Sequence, residues 1–182
     1  MLFRSELTPF ELVAFPGRTF YRNAGETLRY GLETALRWRP ARGLDLNLVY
    51  TRADFQYQKF ETPAGDFAGR RMPGLPRHWG MLEGLYSHAA GFYGRAQLRY
   101  VGRYFADDAN AVAIEPYALV NLRIGYERRI GAGRFRFFLG ADNVFNTRYF
   151  NNVRLNAAGG RYYEPGSRVA FFSGLEFLFS KE

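Results

Sequence analysis

Apolar and polar residues alternate along most of this chain with a period of two. Between residues 27 and 39 the apolar positions share one parity and the charged positions share the other. Because consecutive side chains of a β-strand point to opposite faces, this pattern predicts a strand with one apolar and one charged face. The apolar set is Leu28, Tyr30, Leu32, Leu36 and Trp38, and the charged set is Arg29, Glu33, Arg37 and Arg39.

The same alternation predicts eight strands in all. Pro9 interrupts the first of them, and since proline cannot donate to a ladder we expect an edge, a bulge or a strand end there. Turn-forming residues separate the strands. The predicted strands cover residues 3–15, 27–39, a stretch beginning at 44, about 77–87, 92–104, 117–130, 134–142 and 169–179.

Short and long connections alternate strictly between these strands. The short ones are 40–43, 88–91 and 131–133, and the long ones are 16–26, 61–76, 106–115 and 151–166. All tight turns therefore lie at one end of the sheet and all long loops at the other. This asymmetry is typical of periplasmic turns and extracellular loops in transmembrane barrels. Apolar faces of about nine to eleven residues also fit tilted strands that cross a bilayer.

Composition agrees with a membrane barrel. Aromatic residues make up 18% of the chain, yet the mean hydropathy is −0.31. A barrel with a wet lumen needs only its outer face to be apolar, so both values are expected together. No run approaches the roughly 18 apolar residues of a spanning helix. The first residues lack the pattern of a signal peptide, so we expect the chain to be the tail of a longer protein.

Charge and cysteine content narrow the function classes. The net charge is +8, from 25 basic and 17 acidic residues, but the arginines are spread over alternate strand positions rather than forming a block. Without a recognition motif this charge does not indicate a nucleic-acid partner. The absence of cysteine excludes disulfides and thiolate metal sites. The sequence predicts no catalytic site, metal site or cofactor.

Six short motifs then occur in order along the chain, and together they resemble the C-terminal part of a TonB-dependent outer-membrane receptor, best matching receptors for iron complexes and siderophores. The closing motif precedes the last strand. The motifs are ELTPFE at 6–11, YRNAGET at 21–27 with YGLE at 30–33, PGLPRH at 73–78, YVG at 100–102 with DDAN at 107–110, DNVFN at 142–146 through Tyr149, and YEPG at 163–166.

The resemblance implies more than the alternation does. Family members have a barrel of about 22 strands, an N-terminal plug domain and a box that binds TonB. Residues 1–182 would then be the C-terminal portion of the barrel, with plug and TonB box absent, and would not transport alone. The implied partners are outer-membrane lipid, the plug, TonB, the outer-membrane insertion machinery and an iron chelate. The implied location is the outer membrane of a Gram-negative cell.

Six charged residues are candidates for facing the ligand: Arg95, Arg99, Arg103, Arg123, Asp107 and Asp108. Inward arginines attract an anionic ferric chelate through charge-assisted hydrogen bonds. Pairing with acidic residues of a plug is an equally open explanation. The two adjacent aspartates suggest a carboxylate pair, but such a pair in a loop is more typical of turn chemistry.

The final strand carries a candidate assembly signal at Gly174, Phe177 and Phe179. This stretch resembles the last strand that the insertion machinery recognises, although Ser180 and two further residues follow the final aromatic. An ordinary lipid-facing strand end is the alternative.

Two other functions stay open at this point. A complete eight-stranded membrane barrel with a structural or adhesive role fits the strand count. Its lumen would have to be filled by side chains, which the many long inward arginines disfavour. An enzyme in a soluble calycin-like barrel would need an apolar interior and a polar exterior, the reverse of what we expect here.

Overall fold

The computed structural model describes residues 2–7, 10–15, 18–23, 25–131 and 133–179, the first three ranges by their backbone alone. It contains β-strands and one 3₁₀ turn at Ala158–Gly160. The strands are β1 (Leu2–Leu7), β2 (Phe10–Phe15), β3 (Arg18–Asn23), β4 (Gly25–Ala41), β5 (Leu44–Thr62), β6 (Gly65–Asp66), β7 (His78–Ser87), β8 (Phe92–Val101), β9 (Tyr104–Phe105), β10 (Ala113–Ile114), β11 (Tyr117–Ile130), β12 (Gly133–Asp142), β13 (Phe150–Val153), β14 (Tyr163–Pro165) and β15 (Ala170–Phe179).

Eight of these strands form one antiparallel meander in the order β1, β4, β5, β7, β8, β11, β12 and β15, and β6 attaches to the far end of β5. This confirms the predicted all-β antiparallel architecture. Over the described residues β1 and β15 are the two edges of the sheet and do not pair with each other. A closed eight-stranded barrel requires that pairing, so this sheet is an open segment.

The predicted loops contain strands of their own. The predicted first strand is divided into β1 and β2, and β2 pairs with β3 inside the segment expected to be a loop. In the later loops β6 pairs with β5, β9 with β10, and β13 with β14. Hairpins satisfy backbone groups that an open loop would leave to water, which explains why these segments pair.

Two strand ends also differ from the prediction. The fifth predicted strand was expected to reach residue 104, but β8 ends at Val101. The amide of Gly102 donates to the carbonyl of His78, and the chain then turns away to pair residues 104 and 105 with β10. β4 begins earlier than expected, at Gly25, because its first residues pair with the long end of β5.

One face of the sheet is apolar and exposed. The register places Leu36, Leu48, Leu82, Leu98 and Val120 side by side on five neighbouring strands. Leu36 and Leu82 are 56% and 43% exposed. Burying a leucine is worth about 1.5–3 kcal/mol, so a whole row left in water would be strongly unfavourable. This face therefore requires an apolar environment outside the chain.

The opposite face is polar. Asn47, Glu83, Gln97 and Asn121 are cross-strand neighbours on β5, β7, β8 and β11. Among the described residues, Ala106 and Ile114 in the long connection after β9 are 0% and 1% exposed, and Thr27 at the loop end of β4 is 0% exposed. The packed part of this segment is thus at the loop end. In the described part of the chain, no helix is long and apolar enough to cross a membrane.

Candidate functional site

At the turn end of the polar face, arginines and acids are paired. Arg95 Nε donates to Glu83 Oε2 at 2.6 Å across β7 and β8. Arg136 contacts Glu127 at 2.6 Å and Glu176 at 3.0 Å, which links β11, β12 and β15. Arg95, Arg136, Glu127 and Glu176 also line a cavity of about 510 Å³. The positive charge predicted for this face is therefore largely neutralised near the turns.

Arg123 is the exception in this region. It is the direct cross-strand partner of Arg95, and no acidic side chain pairs with it among the described residues. Its guanidinium instead lies over the rings of Phe138 and Phe172, 4.6 and 5.2 Å from their centroids. A cation over two aromatic faces is stabilised without a counter-ion. The sequence predicted that Arg123 faces a ligand, and in the structure its guanidinium packs on two phenyl rings.

The two rings beneath Arg123 lie over glycines. Phe138 is the cross-strand partner of Gly174, and Phe172 is the partner of Gly140. A Cβ atom at Gly174 would be 2.3 Å from Cζ of Phe138, and one at Gly140 would be 2.2 Å from Cζ of Phe172. Each glycine is therefore required by the ring that covers it.

The loop end of the polar face contains a smaller cavity of about 300 Å³. Arg99 on β8 and Arg168 just before β15 both line it, and within the described ranges neither forms an ion pair. Amide side chains surround them, and Asp142 is the only acid on the wall. The other polar side chains on the wall are Gln97, Asn121, Asn143, Tyr149, Asn151 and Ser167. This cavity combines unneutralised positive charge with many hydrogen-bonding groups.

Asn143 fixes the shape of this cavity. It is 4% exposed and adopts a positive φ of 49°. Its backbone amide donates to Asn121 Oδ1 at 2.9 Å, and its side chain donates to the carbonyls of Thr147 and Ser167. Asparagine tolerates this left-handed backbone better than most residues. The bond to Ser167 holds the neighbouring residue, Arg168, at the cavity that Arg99 of β8 also lines.

The long loops are joined around a buried carboxylate. Asp54 on β5 is 2% exposed and contacts Arg71 at 3.0 Å and Arg77 at 2.8 Å. Burial acts to raise the pKa of Asp54, but the hydrogen bond and charge of Arg71, with the charge of Arg77, outweigh it and hold the pKa below its usual value. Asn110, at φ 56°, belongs to the next long loop. Its side chain accepts the backbone amide of Arg71 and donates to the carbonyl of Arg71, which joins the two loops.

Asp107 and Asp108 hold the loops together. Tyr57 donates its hydroxyl to Asp108 Oδ1 at 2.7 Å, and Asn156 donates to Asp108 Oδ2 at 2.8 Å. Asp107 Oδ1 receives the amide of Val112 at 3.0 Å. Burial, followed by the bond and charge of Asp108, raises the pKa of Tyr57. Both aspartates thus have protein partners within the loops.

The remaining predicted residues are dispersed. Arg103 lies beyond the end of β8 and binds both carboxylate oxygens of Glu115 at 2.7 and 2.8 Å, in an ion pair exposed to solvent. The expectation that it continues the arginine row of β8 is wrong, because the strand has already ended. Of the six candidates only Arg99 lies in the loop-end cavity. Sequence reasoning missed Arg168, since a loop position carries no alternation that would have marked it.

The candidate assembly residues lie on the edge strand β15. Gly174 is covered by Phe138, as described above. Phe177 contacts Phe135 and Phe179, with ring centroids 5.9 and 5.1 Å apart. Phe179 is 80% exposed. The two phenylalanines extend the apolar face toward the turn end.

Solved structures share this fold. The ferric preacinetobactin receptor BauA from Acinetobacter baumannii matches with a TM-score of 0.78 and 14% identity over 98% of this chain and 26% of its own. The siderophore receptor PiuA from the same organism matches with a TM-score of 0.78 and 18% identity, over 97% of this chain and 25% of its own. The ferric-catecholate import receptor Fiu from E. coli K12 matches with a TM-score of 0.72 and 20% identity, over 97% of this chain and 24% of its own.

These identities establish the fold alone, and the chain spans about a quarter of the length of the structures it matches. The family model is more specific. The model described as "TonB dependent receptor-like, beta-barrel" matches residues 3–144, well over half of the chain. An antiparallel sheet with tight turns at one end, long paired loops at the other and one apolar face is what such a barrel wall requires. This chain belongs to the family of TonB-dependent receptor-like β-barrels.

Proposed function

We propose that residues 1–182 form the C-terminal part of the barrel wall of a larger outer-membrane receptor that imports a ferric siderophore or a related iron complex. Family membership supports the receptor class. The described fold matches about a quarter of each of three iron-complex receptors, which supports a segment of a larger wall. In this proposal the segment alone does not transport, and the plug and TonB act in the intact receptor.

The loop-end cavity is the proposed contact with the iron chelate. The observation that carries this assignment is the pair of arginines, Arg99 and Arg168, that have no acidic partner in the described part of the chain and lie among amide side chains. An anionic chelate gains charge-assisted hydrogen bonds there, each stronger than a neutral bond. Because both cations share one cavity wall, they also raise the local concentration of an anion.

The turn end of the polar face is the proposed contact with the plug. Arg95 and Arg136 are already balanced by Glu83, Glu127 and Glu176. A balanced surface offers both donors and acceptors, which suits a protein partner better than an anionic ligand. We therefore assign Arg95 and Arg123 to the plug side and retain Arg99 alone of the predicted arginines for the ligand.

The membrane location and the assembly role are parts of the same proposal. The exposed apolar face suits outer-membrane lipid, and β15 with Gly174, Phe177 and Phe179 would be the strand that the insertion machinery recognises. The family consists of receptors that transport, so the chain is not an enzyme. The alternative of a complete small barrel finds no support in a sheet whose β1 and β15 edges are unpaired over the described residues.

The test uses the full receptor in cells that lack other iron-complex receptors. The double variant Arg99→Gln with Arg168→Gln should bind a radiolabelled anionic ferric chelate at least about tenfold more weakly, since two charge-assisted bonds are lost. Uptake should fall in parallel. Arg129→Gln is the matched control, because this exposed arginine lies near the turns on the same sheet and forms no ion pair among the described residues.

Unchanged affinity in the double variant, with normal amounts in the membrane, would remove the cavity from the ligand path. Equal losses in the control would indicate a general effect of charge on the receptor. A wild-type receptor that takes up no iron chelate would contradict the transport proposal itself.

A further inference from the structure

Residues 142–149, which contain the DNVFN motif and Tyr149, connect the end of β12 to the start of β13. Arg168 lies on the far side of the β13–β14 hairpin, two residues before β15. The motif begins with a tight turn, in which Asn146 donates its backbone amide to the carbonyl of Asn143 at 2.8 Å. Both asparagines have a positive φ, which this residue type tolerates better than most. The motif therefore has a defined shape on which a second segment can rest.

Two side chains of the motif hold the backbone on either side of Arg168. The side-chain amide of Asn143 donates to the carbonyl of Ser167 at 3.0 Å. The side-chain oxygen of Asn146 accepts the backbone amide of Val169 at 3.4 Å. The residue before Arg168 and the residue after it are thus both bonded to the motif, so the arginine side chain leaves the backbone at a defined place.

Tyr149 adds a packing contact to these hydrogen bonds. Its carbonyl accepts the amide of Gly166 at 2.8 Å, and its ring covers the same glycine so closely that a Cβ atom there would overlap Cζ of the ring. The ring also contacts Tyr117 on β11, with centroids 5.2 Å apart. Tyr149 therefore links the sheet to Gly166 and restricts how close residues 166–168 lie to β11.

These contacts matter because strand pairing does not bring Arg168 to Arg99. Arg99 lies on β8, which pairs with β7 and β11, whereas the strand that follows Arg168 pairs with β12. Both arginines nevertheless line the loop-end cavity, together with Asn143 and Tyr149. The separation of the two cations therefore depends on the contacts of the motif with residues 166–169.

We propose that Tyr149 is a positioning residue that sets Arg168 beside Arg99 by packing on Gly166. This inference rests on the proposed function, in which the two arginines bind an anionic iron chelate. A pair of cations that folding has already placed binds one anion more tightly than a mobile pair, because less conformational entropy is lost on binding. Tyr149 thus increases the affinity through Arg168, without a bond of its own to the chelate.

The experiment measures binding of radiolabelled ferric citrate and of a radiolabelled ferric tris-catecholate, both anionic, to the intact, detergent-folded receptor. Tyr149→Leu should weaken binding as much as Arg168→Gln does, and the two changes together should weaken it no further. Tyr149→Phe keeps the ring and should restore the affinity to within about twofold of the wild type. Tyr163→Leu is the matched control, because this tyrosine lies in the same hairpin but stacks on Phe150, with ring centroids 4.3 Å apart.

Hydrogen exchange of the Gly166 amide is a second measurement, and it needs no chelate. Exchange should be about tenfold faster in Tyr149→Leu than in the wild type, because the ring no longer holds this segment against the sheet. The amide of Asn143 is the internal reference. It is bonded to the side chain of Asn121 on β11, so its exchange should not change.

Unaltered exchange of Gly166 in Tyr149→Leu would overturn the proposal. Additive losses of affinity in Tyr149→Leu and Arg168→Gln would also overturn it, as would a failure of Tyr149→Phe to restore binding or an equal loss in Tyr163→Leu. Faster exchange in Tyr149→Leu together with unchanged chelate binding in Arg168→Gln would contradict the proposed function alone, because the segment would then be held as described but would not serve a ligand.

Discussion

Arg95 and Arg123 are cross-strand partners on β8 and β11, and each is stabilised by a different kind of group. Arg95 binds a carboxylate, whereas Arg123 lies over two phenyl rings. Like charges that lie directly opposite each other destabilise a sheet. The polar face accommodates this pair because Glu83 neutralises Arg95 and two phenyl rings stabilise Arg123.

This relationship predicts that Glu83→Gln destabilises the folded receptor by about 1 kcal/mol, because Arg95 then faces Arg123 without a counter-charge. The measurement is the midpoint of the heat-dependent gel shift. Adding Arg123→Gln should recover part of the loss, which a double-mutant cycle quantifies. Glu115→Gln is the control, since its ion pair with Arg103 is exposed and should contribute little. Strictly additive losses in the cycle would contradict the coupling.

The glycines under the phenyl rings give a second prediction. Gly174→Ala should destabilise the folded barrel by about 1–3 kcal/mol, since the new methyl group overlaps the ring of Phe138. The midpoint of the heat-dependent gel shift measures this loss of stability. Gly80→Ala is the matched control in an interior strand, where the nearest atom to a new Cβ is 3.5 Å away.

A companion variant separates packing from recognition by the insertion machinery. Gly174→Ala combined with Phe138→Leu should regain the amount of receptor in the membrane and part of the stability, if packing alone requires the glycine, since Arg123 then keeps only the ring of Phe172. Recovered stability without recovered amount would instead indicate that the machinery reads Gly174 itself.

The loop junction around Asp54 should depend on pH in a defined direction. The pKa of Asp54 is lower in the folded protein than its ordinary value of 3.8, so its charge stabilises the fold above that value. The contribution is lost as pH falls through the folded pKa. Protection of the Tyr57 and Met72 amides, measured by hydrogen exchange and corrected for intrinsic rates, should be constant from pH 7 to 5 and should decrease below 3.8.

Asp54→Asn should remove this protection already at pH 7, by about tenfold or more, because two arginines then share a neutral amide. Asp66→Asn is the control, since Asp66 lies in the loop that carries Arg71 and, among the described residues, its side chain accepts only the exposed amide of Ala68. Equal protection in both variants would show that backbone pairing with β5 holds the loop without the ion pairs.

The strands were predictable from the sequence because each carries its own period-two signal. Leu82 and Leu98 show it within their own strands, and no distant contact is needed to interpret it. Contacts between loops carry no such signal. The pairing of Asp54 with Arg71, or of Tyr57 with Asp108 across 51 positions, depends on how separate loops pack.

The candidate site was predictable only in part for the same reason. Alternation placed Arg95, Arg99 and Arg123 on the polar face, as the register shows. It did not identify the neighbour that neutralises each one, because that depends on the partner strand. Arg95 has Glu83 as a partner and Arg123 has Phe138, whereas Arg99 has no comparable partner among the described residues. This difference follows from the register between strands, which the sequence does not show.

Asn110 and Asn156 each combine a positive φ with a side-chain bond to a neighbouring loop, and Asn143 combines a positive φ with side-chain bonds to both ends of its own loop. They act as fixed anchor points between which the loop sequence can change. A library that varies residues 157–162 while keeping these asparagines would alter the mouth of the receptor without moving the strands beneath it. In the same way, related receptors would acquire new ligands through the stretches between such anchors while the wall stays constant.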